Sequence, residues 1–504
     1  MGFLKLLNFG PTMADVNRIV TEGAKNKISD KEYLEKEIVK FLRSPKRKAM
    51  IDGERYYDGD HDILKRKRTA IGEDGKLKEV DNLPNNRIVD NQYGKMVDQK
   101  ANYLLSKPPT FECENKSYED ILKNMFNNKF LRLLKNIGED SLNDGIGWLH
   151  PYYNQQGQLC FKRFKPYEIL PFWEDEDHTM LECAVRIYEV LVYEGATEKI
   201  VQKVEVYNLK GIQRFVLENG ALIPDVELGV QSDYITTTDK EGNTIGLNWT
   251  KVPLIPFKFN SKEIPLIKRV KTLQDGINTI LSDFQNNIQE DCRNTILILK
   301  NYDGVNLGEF RNNLSTYGVV KVKSIDGCEG GLETLQIEVN AENYKAIYDI
   351  FKKALIENAR GFDAKDDRMS NNPNQMNIQS MYSDIDLDAN GMETEYQASF
   401  EDLLWFINQH LANTGQGDFE KDIVTITFNR DILINESESI SNCQASVGIL
   451  SNESVVEQHP WVKDVQKELE RKKEEQQQKI KDNDDYKGAF PNNDDNEEAD
   501  KDEQ

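Results

Sequence analysis

Apolar residues recur along the chain at two periods, and the switches between them divide the sequence into regions. Asp30 to Leu42 is charged and helical in spacing, and Val89, Tyr93, Met96, Val97, Ala101, Leu104 and Leu105 repeat at helical steps until "KPP", Lys107 to Pro109, ends the pattern. The stretch between them, "RSPKRKAMIDGERYYDGDHDILKRKR", reads as basic and turn-rich, and one amphipathic helix is expected from Tyr118 to Asn136. The period then becomes two. "GIGWLHPYYNQQGQLCFKRFKPYEILPFW" predicts a hairpin around Gln156-Gly157, with further strands at Ala184–Tyr193, Val201–Leu209 and Ile212–Leu217, in an α+β region that closes near "KVPLIPFKFN".

After Pro265 the helical period returns. Leu266, Val270, Leu273, Ile277, Ile280, Leu281, Phe284 and Ile288 recur at steps of three and four, a rod of roughly 35 to 40 Å. A strand, "TILILKNY", and a Gly-rich β-type insert follow, and a second helix from Ala341 carries Tyr344, Ile347, Tyr348, Phe351 and Leu355. A third helix is expected from Met376 to Leu411, about 54 Å long, with Gly391 in its middle as the place for a bend. Between the second and third lies "FDAKDDRMSNNPNQ", Phe362 to Gln375, which after its first residue holds almost nothing that can enter a core. A loop of that length in a folded chain is usually functional or disordered.

Charge changes this picture at one end. The chain of 504 residues carries a net charge of −23, and Asp482 to Gln504, with ten acidic residues against Lys487 and Lys501, holds −8 of it, too polar a composition to fold. The acidic remainder disfavours static gripping of nucleic acid, which needs a basic face, but suits a surface past which DNA slides. The eight Lys/Arg at Arg43, Lys46 to Lys48 and Lys65 to Arg68 read as a solvated surface more readily than as a nucleic-acid patch. Six cysteines without a C-x-x-C pair suit reduced thiols, no apolar run is long enough to span a membrane, and "MGFLKL" matches neither a signal peptide nor a myristoylation signal.

Candidate chemistry is sparse. "GEDGK" has the wrong spacing for a phosphate-binding loop, and no nucleophile-elbow, zinc-protease or dinucleotide motif occurs. The acidic clusters Glu174–Asp177, followed by His178, and Asp363, Asp366 and Asp367 offer carboxylate oxygens to a hard cation, so a metal-dependent phosphoryl-transfer enzyme is the alternative to an architectural protein. The first cluster reads as an exposed turn and the second as a solvated loop. No metal, cofactor or catalytic residue is expected.

The blocks "YYDGDHDIL", "NNRIVDNQYGKMVDQKANYLLSKPPTFE", "PYEILPFWEDED", "LIKRVKTLQDGINTILSDFQNNIQED" and "ILSNESVVEQHPWVKDVQKELER" resemble, in order, those of portal proteins of tailed bacteriophages, the type common in phages of Gram-positive hosts. Where that family often has a small-residue run before its long helix, this chain has Asn and Gln in "NNPNQMNIQ". The resemblance implies an α+β subunit of a ring, usually of twelve, at a capsid vertex of the virion, assembled in the host cytoplasm. Double-stranded DNA passes through it, and terminase, head-completion or adaptor proteins, capsid and scaffolding proteins are its partners, with no membrane. It implies a wing over residues 1–262, a stem helix at 263–291, a β-containing clip at 292–339, and a second stem helix at 340–361. A tunnel loop at 362–375, a long kinked wing helix and strand at 376–437, a helical crown at 438–481 and a disordered tail at 482–504 complete the map. On it, Asp363, Lys365, Asp366, Asp367, Arg368, Asn371, Asn372 and Asn374 face the DNA channel, Leu273, Ile277, Phe284 and Ile288 pack the stem, and Gly391 kinks the long helix.

Overall fold

The computed structural model describes residues 30–71, 75–81, 83–195, 197–238, 241–291, 296–300, 331–335, 341–363, 375–430, 436–462 and 465–489, with a few single positions between 306 and 323. The chain divides into two units, residues 1–362 with 384–431, and residues 363–383 with 432–504.

The first unit opens with α1 (Lys31–Leu42), capped by the Asp30 carboxylate on the Glu32 N–H, and α2 (Pro45–Tyr57). The stretch expected to be turn-rich is therefore mostly helix. Its start was written in "RSPK": Ser44 accepts from the Arg47 N–H and Pro45 occupies the first turn, where its missing N–H costs nothing. A small hairpin, β1 (Thr69–Ile71) and β2 (Leu77–Glu79), leads to α3 (Gln92–Leu105), β3 (Thr110–Cys113), α4 (Lys116–Met125) and α5 (Asn128–Asp144). The helix expected over Tyr118 to Asn136 is thus two. Phe126 ends the first, and the Asn127 side chain caps the second by accepting from the Lys129 and Phe130 N–H groups, so a local polar bond overrides a continuous apolar period.

Sheet structure follows. β4 (Ile146–Tyr153) and β5 (Leu159–Phe164) form the expected hairpin, joined on the other side of β4 by β14 (Ile255–Lys258). Between them, β6 (Ile169–Trp173), β7 (Leu181–Glu194), β8 (Thr197–Asn208), β9 (Gly211–Glu218) and β10 (Ala221–Pro224) build an antiparallel sheet in sequence order, with β11 (Gln231–Ser232) also on β9. A small hairpin, β12 (Ile235–Thr238) with β13 (Thr244–Leu247), precedes β14. Leu34, Ile38 and Phe41 of α1 cover Val185, Ile187, Val204 and Val206 of the large sheet, and the alternation of those sheet residues puts them on one face.

Two long helices, α6 (Ile267–Asp291) and α7 (Ala341–Asn358), flank a pair of strands, β15 (Ile296–Lys300) and β16 (Gly331–Leu335). The longest helix, α8 (Gln375–Asn413), extends the expected one by a residue or two at each end and is continuous through Gly391. Its Phe400 is the hub of an aromatic cluster, with ring centroids of Phe111, Phe126, Phe130, Phe257 and Phe428 all within 6.2 Å. β17 (Val424–Thr427) returns to pair with β3.

The second unit holds α9 (Glu436–Ser446), α10 (Asn452–Glu457) and α11 (Val465–Ala489), with the indole N–H of Trp461 donating to Glu436 at 3.4 Å. Helix α11 continues to Ala489, eight residues into the segment expected to lack structure. The Glu, Lys and Gln residues that favour helix without a face to bury lie before Asp482, and the last eight residues, "DNDDYKGA", extend the helix with few strong helix formers of their own. Residues 490–504 lie outside the described residues.

Candidate functional site

Helices α6 and α7 lie side by side. Among the residues expected to pack them, Ile277 is fully buried, Leu273 and Phe284 are half-buried, and Ile288 is 43% exposed. The Phe284 and Tyr344 ring centroids are 5.0 Å apart, and the Asn287 amide donates to the Tyr344 hydroxyl at 2.7 Å. At Gly276 a Cβ would fall 2.6 Å from the Phe351 ring, so glycine permits the close approach.

The most deeply buried line on α6 is polar. Gln274, Asn278, Ser282 and Asn286, each 0% exposed, stand one helical turn apart. Three accept from alternate N–H groups of the extended segment before α3, Asn86 to Asn286 at 2.7 Å, Ile88 to Ser282 at 2.9 Å and Asp90 to Asn278 at 3.0 Å, and Gln274 accepts from Tyr93 in the first turn of α3 at 2.9 Å. Four helical residues rise about 6.0 Å and two extended residues about 6.6 Å, so the two periods match over this length. The apolar period in the sequence showed Leu273 and Ile277 and missed this ladder. Its signal was present as Gln274, Asn278, Ser282 and Asn286 at steps of four.

The block "YYDGDHDIL" clamps the start of α6. The Tyr56 hydroxyl bonds Asp275, and Lys271 reaches the Tyr56 hydroxyl at 2.9 Å and Asp62 at 2.5 Å. Burial opposes ionisation of Asp62, but Lys271 and Arg55 hold it well below the usual carboxylate range. His61 lies against the Tyr56 ring, its Nε2 on the Tyr56 carbonyl at 3.0 Å and its Nδ1 at 2.8 Å from the Asn278 amide. Burial lowers its pKa, and a neutral ring fits both partners, one nitrogen donating and the other accepting.

The segment after α7 begins from a fixed root. Gly361 donates to the Ile356 carbonyl at 2.9 Å and Arg360 to that of Glu357 at 3.0 Å, closing the helix. Gln99 of α3 then brackets Phe362, its amide donating to the Phe362 carbonyl at 2.9 Å and its oxygen accepting the Phe362 N–H at 3.1 Å. A Cβ at Gly361 would stand 2.5 Å from the Met96 sulfur, so only glycine lets the backbone come this close. Beside it, Asp388 of α8 accepts from Lys100 at 2.9 Å, Arg269 at 2.6 Å and Arg360 at 3.0 Å. Three cations surround one carboxylate. Burial, opposed by Asp388 and assisted by Arg269 and Arg360, pushes Lys100 down to about 8.

Of the residues expected along the channel, Asp363 is half-buried, and Lys365, Asp366, Asp367, Arg368, Asn371, Asn372 and Asn374 lie outside the described residues. Gly391 is exposed on α8, and a Cβ there would meet nothing within 4 Å. The cluster Glu174 to His178 forms a turn closed by Asp175, which accepts from the Thr179 and Met180 N–H groups at 2.9 and 2.8 Å. Among the described residues, no group of three or more His, Cys, Asp or Glu is placed to hold a metal ion. The basic residues noted in the sequence are largely paired within the unit: Lys46 with Glu263 at 2.5 Å, Arg66 with Asp283 at 2.7 Å, Lys67 with Glu79 at 2.8 Å. Among the described residues no helix is long and apolar enough to cross a membrane.

A family model described as "Phage portal protein, SPP1 Gp6-like" matches residues 44–482. The portal protein of Bacillus phage SPP1 is 29% identical over 467 residues, covering 92% of this chain and 90% of that protein. The portal protein of Clostridium phage phiCD119 is 28% identical over 434 residues, covering 84% of this chain and 91% of that protein.

Proposed function

Since this chain belongs to the SPP1 Gp6-like family of phage portal proteins, we propose that it forms a ring of twelve copies at one capsid vertex, a conduit for double-stranded DNA during packaging and ejection. Helices α6 and α7 are the stem, the β15–β16 region the clip on which terminase and later head-completion proteins dock, and residues 362–375 the tunnel loop. The α+β part to residue 262 and α8 form the wing, and residues 438–481 the crown. No catalytic role is assigned. ATP hydrolysis belongs to the terminase.

The observation that carries this reading is the root at Arg360 to Phe362. A chain of net charge −23 gathers three cations on one carboxylate at the base of its most polar internal segment. Arg360, the most exposed of the three at 48%, offers DNA phosphates weak attraction, while Asp363, Asp366 and Asp367 in the segment limit sticking. The test is electron microscopy of the purified chain together with packaging in particles. Rings with a central hole are expected, and Asp366→Lys with Asp367→Lys should shorten the packaged DNA at low salt while assembly persists. A chain that stays monomeric at micromolar concentration would refute the ring.

A further inference from the structure

A helix that ends with a residue in the left-handed conformation normally has glycine there, because a Cβ is strained at positive φ. Helix α7 ends this way, yet its left-handed residue is Arg360, at φ 52°, with glycine one position later. A strained non-glycine residue persists where its side chain is needed. The Arg360 guanidinium donates to Asp388 at 3.0 Å, and that carboxylate is shared with Arg269 in the first turn of α6 and with Lys100, which also donates to the Arg360 carbonyl at 3.0 Å. Net stability does not account for the choice: the Arg360 side chain is 48% exposed, and what its bond to Asp388 contributes is offset by the strain of a non-glycine residue at positive φ.

We propose that Arg360 is a positioning residue for the root of the segment that follows it, holding the backbone at Gly361 and Phe362 to Asp388 of α8 and, through that shared carboxylate, to the first turn of α6. The inference rests on residues 362–375 being the tunnel loop.

The test uses full-length rings and DNA-filled particles carrying Arg360→Gly, Arg360→Asn, or a loop shortened by four residues between 368 and 373. Both Arg360 variants relieve the backbone, and asparagine does so without the freedom of glycine. Thermal midpoints should hold or rise. Hydrogen exchange at Gly361 and Phe362 should accelerate about tenfold, the effect of losing one hydrogen bond to a charged group, and packaged DNA length should change. A lowered midpoint with unchanged exchange at the root would overturn the proposal, leaving Arg360 a stabilising residue only. Normal DNA length in both Arg360 variants, beside an altered length with the shortened loop, would refute positioning and leave the tunnel loop standing. Normal length with the shortened loop as well would remove the tunnel-loop reading and this proposal with it.

Discussion

Asp144, the last residue of α5, is 0% exposed, and neither of its carboxylate oxygens has a hydrogen-bond partner. Burial, reinforced by the neighbouring Glu54 and Asp140 charges, raises its pKa well above the usual range, and burial pushes Asp140 itself up to about 6 against the pull of Arg163 and Lys165. A carboxyl with a raised folded-state pKa binds its proton more tightly folded than unfolded. Its contribution is therefore fully present below the unfolded pKa and is lost as pH rises toward the folded value. Asp144→Asn should flatten the decline in stability between pH 5 and pH 7, by at most about 1.4 kcal/mol per pH unit. Urea denaturation at several pH values measures this, and parallel curves for the two proteins would refute it. Gly145, at φ 88°, caps the helix, whose end at Asp144 lies eight residues past the one expected at Asn136, and nothing in "SLNDGIGW" separates Asp144 from a surface acid. The charge of Glu54 that acts on Asp144 comes from ninety residues away in the chain, which no local pattern reports.

At the scale of elements, the ladder on α6 replaces an apolar contact with hydrogen bonds that water cannot supply. Asn278 alone accepts from the Asp90 N–H and the Gln274 amide and faces His61. Removing it leaves buried donors unpaired, at about 1–3 kcal/mol each, whereas Leu273→Ala trims a half-buried side chain. Asn278→Ala should therefore lower the thermal midpoint more than Leu273→Ala does. The reverse order would mean that the stem is held by its apolar stripe, as its period alone suggests. Helix α8 offers the opposite test. Gly391 is exposed with open space around its Cα, so Gly391→Ala should stabilise the chain by roughly 0.5–1 kcal/mol if the helix keeps its course there. A loss of stability would mark a bend that alanine resists. Long periodic helices were legible because an apolar stripe repeats over many turns. The break at Asn127, the helix at Pro45–Tyr57 and the ladder were not, because each depends on particular polar side chains meeting particular backbone N–H groups.

Across the whole molecule, the proposed ring asks the same two helices to supply different residues for folding and for association. Ile277 is buried within the subunit, so Ile277→Asp is a folding variant and reports nothing on assembly. Ile288, Ile347 and Ile350, at 43%, 44% and 64% exposure, are apolar positions that the subunit leaves uncovered. In the proposed ring they supply the burial that offsets repulsion between copies each carrying −23. Two consequences follow from that balance. Ile350→Asp should leave circular dichroism and the subunit's thermal midpoint nearly unchanged while shifting native mass from rings toward monomers. Salt should act in the other direction: screening over about 10 Å at 0.1 M weakens repulsion but not apolar contact, so the wild-type ring population should grow between 20 and about 300 mM salt. Rings that dissociate as salt rises would show that ion pairs between copies dominate, and rings indifferent to Ile350→Asp would place the interface on another face of the subunit.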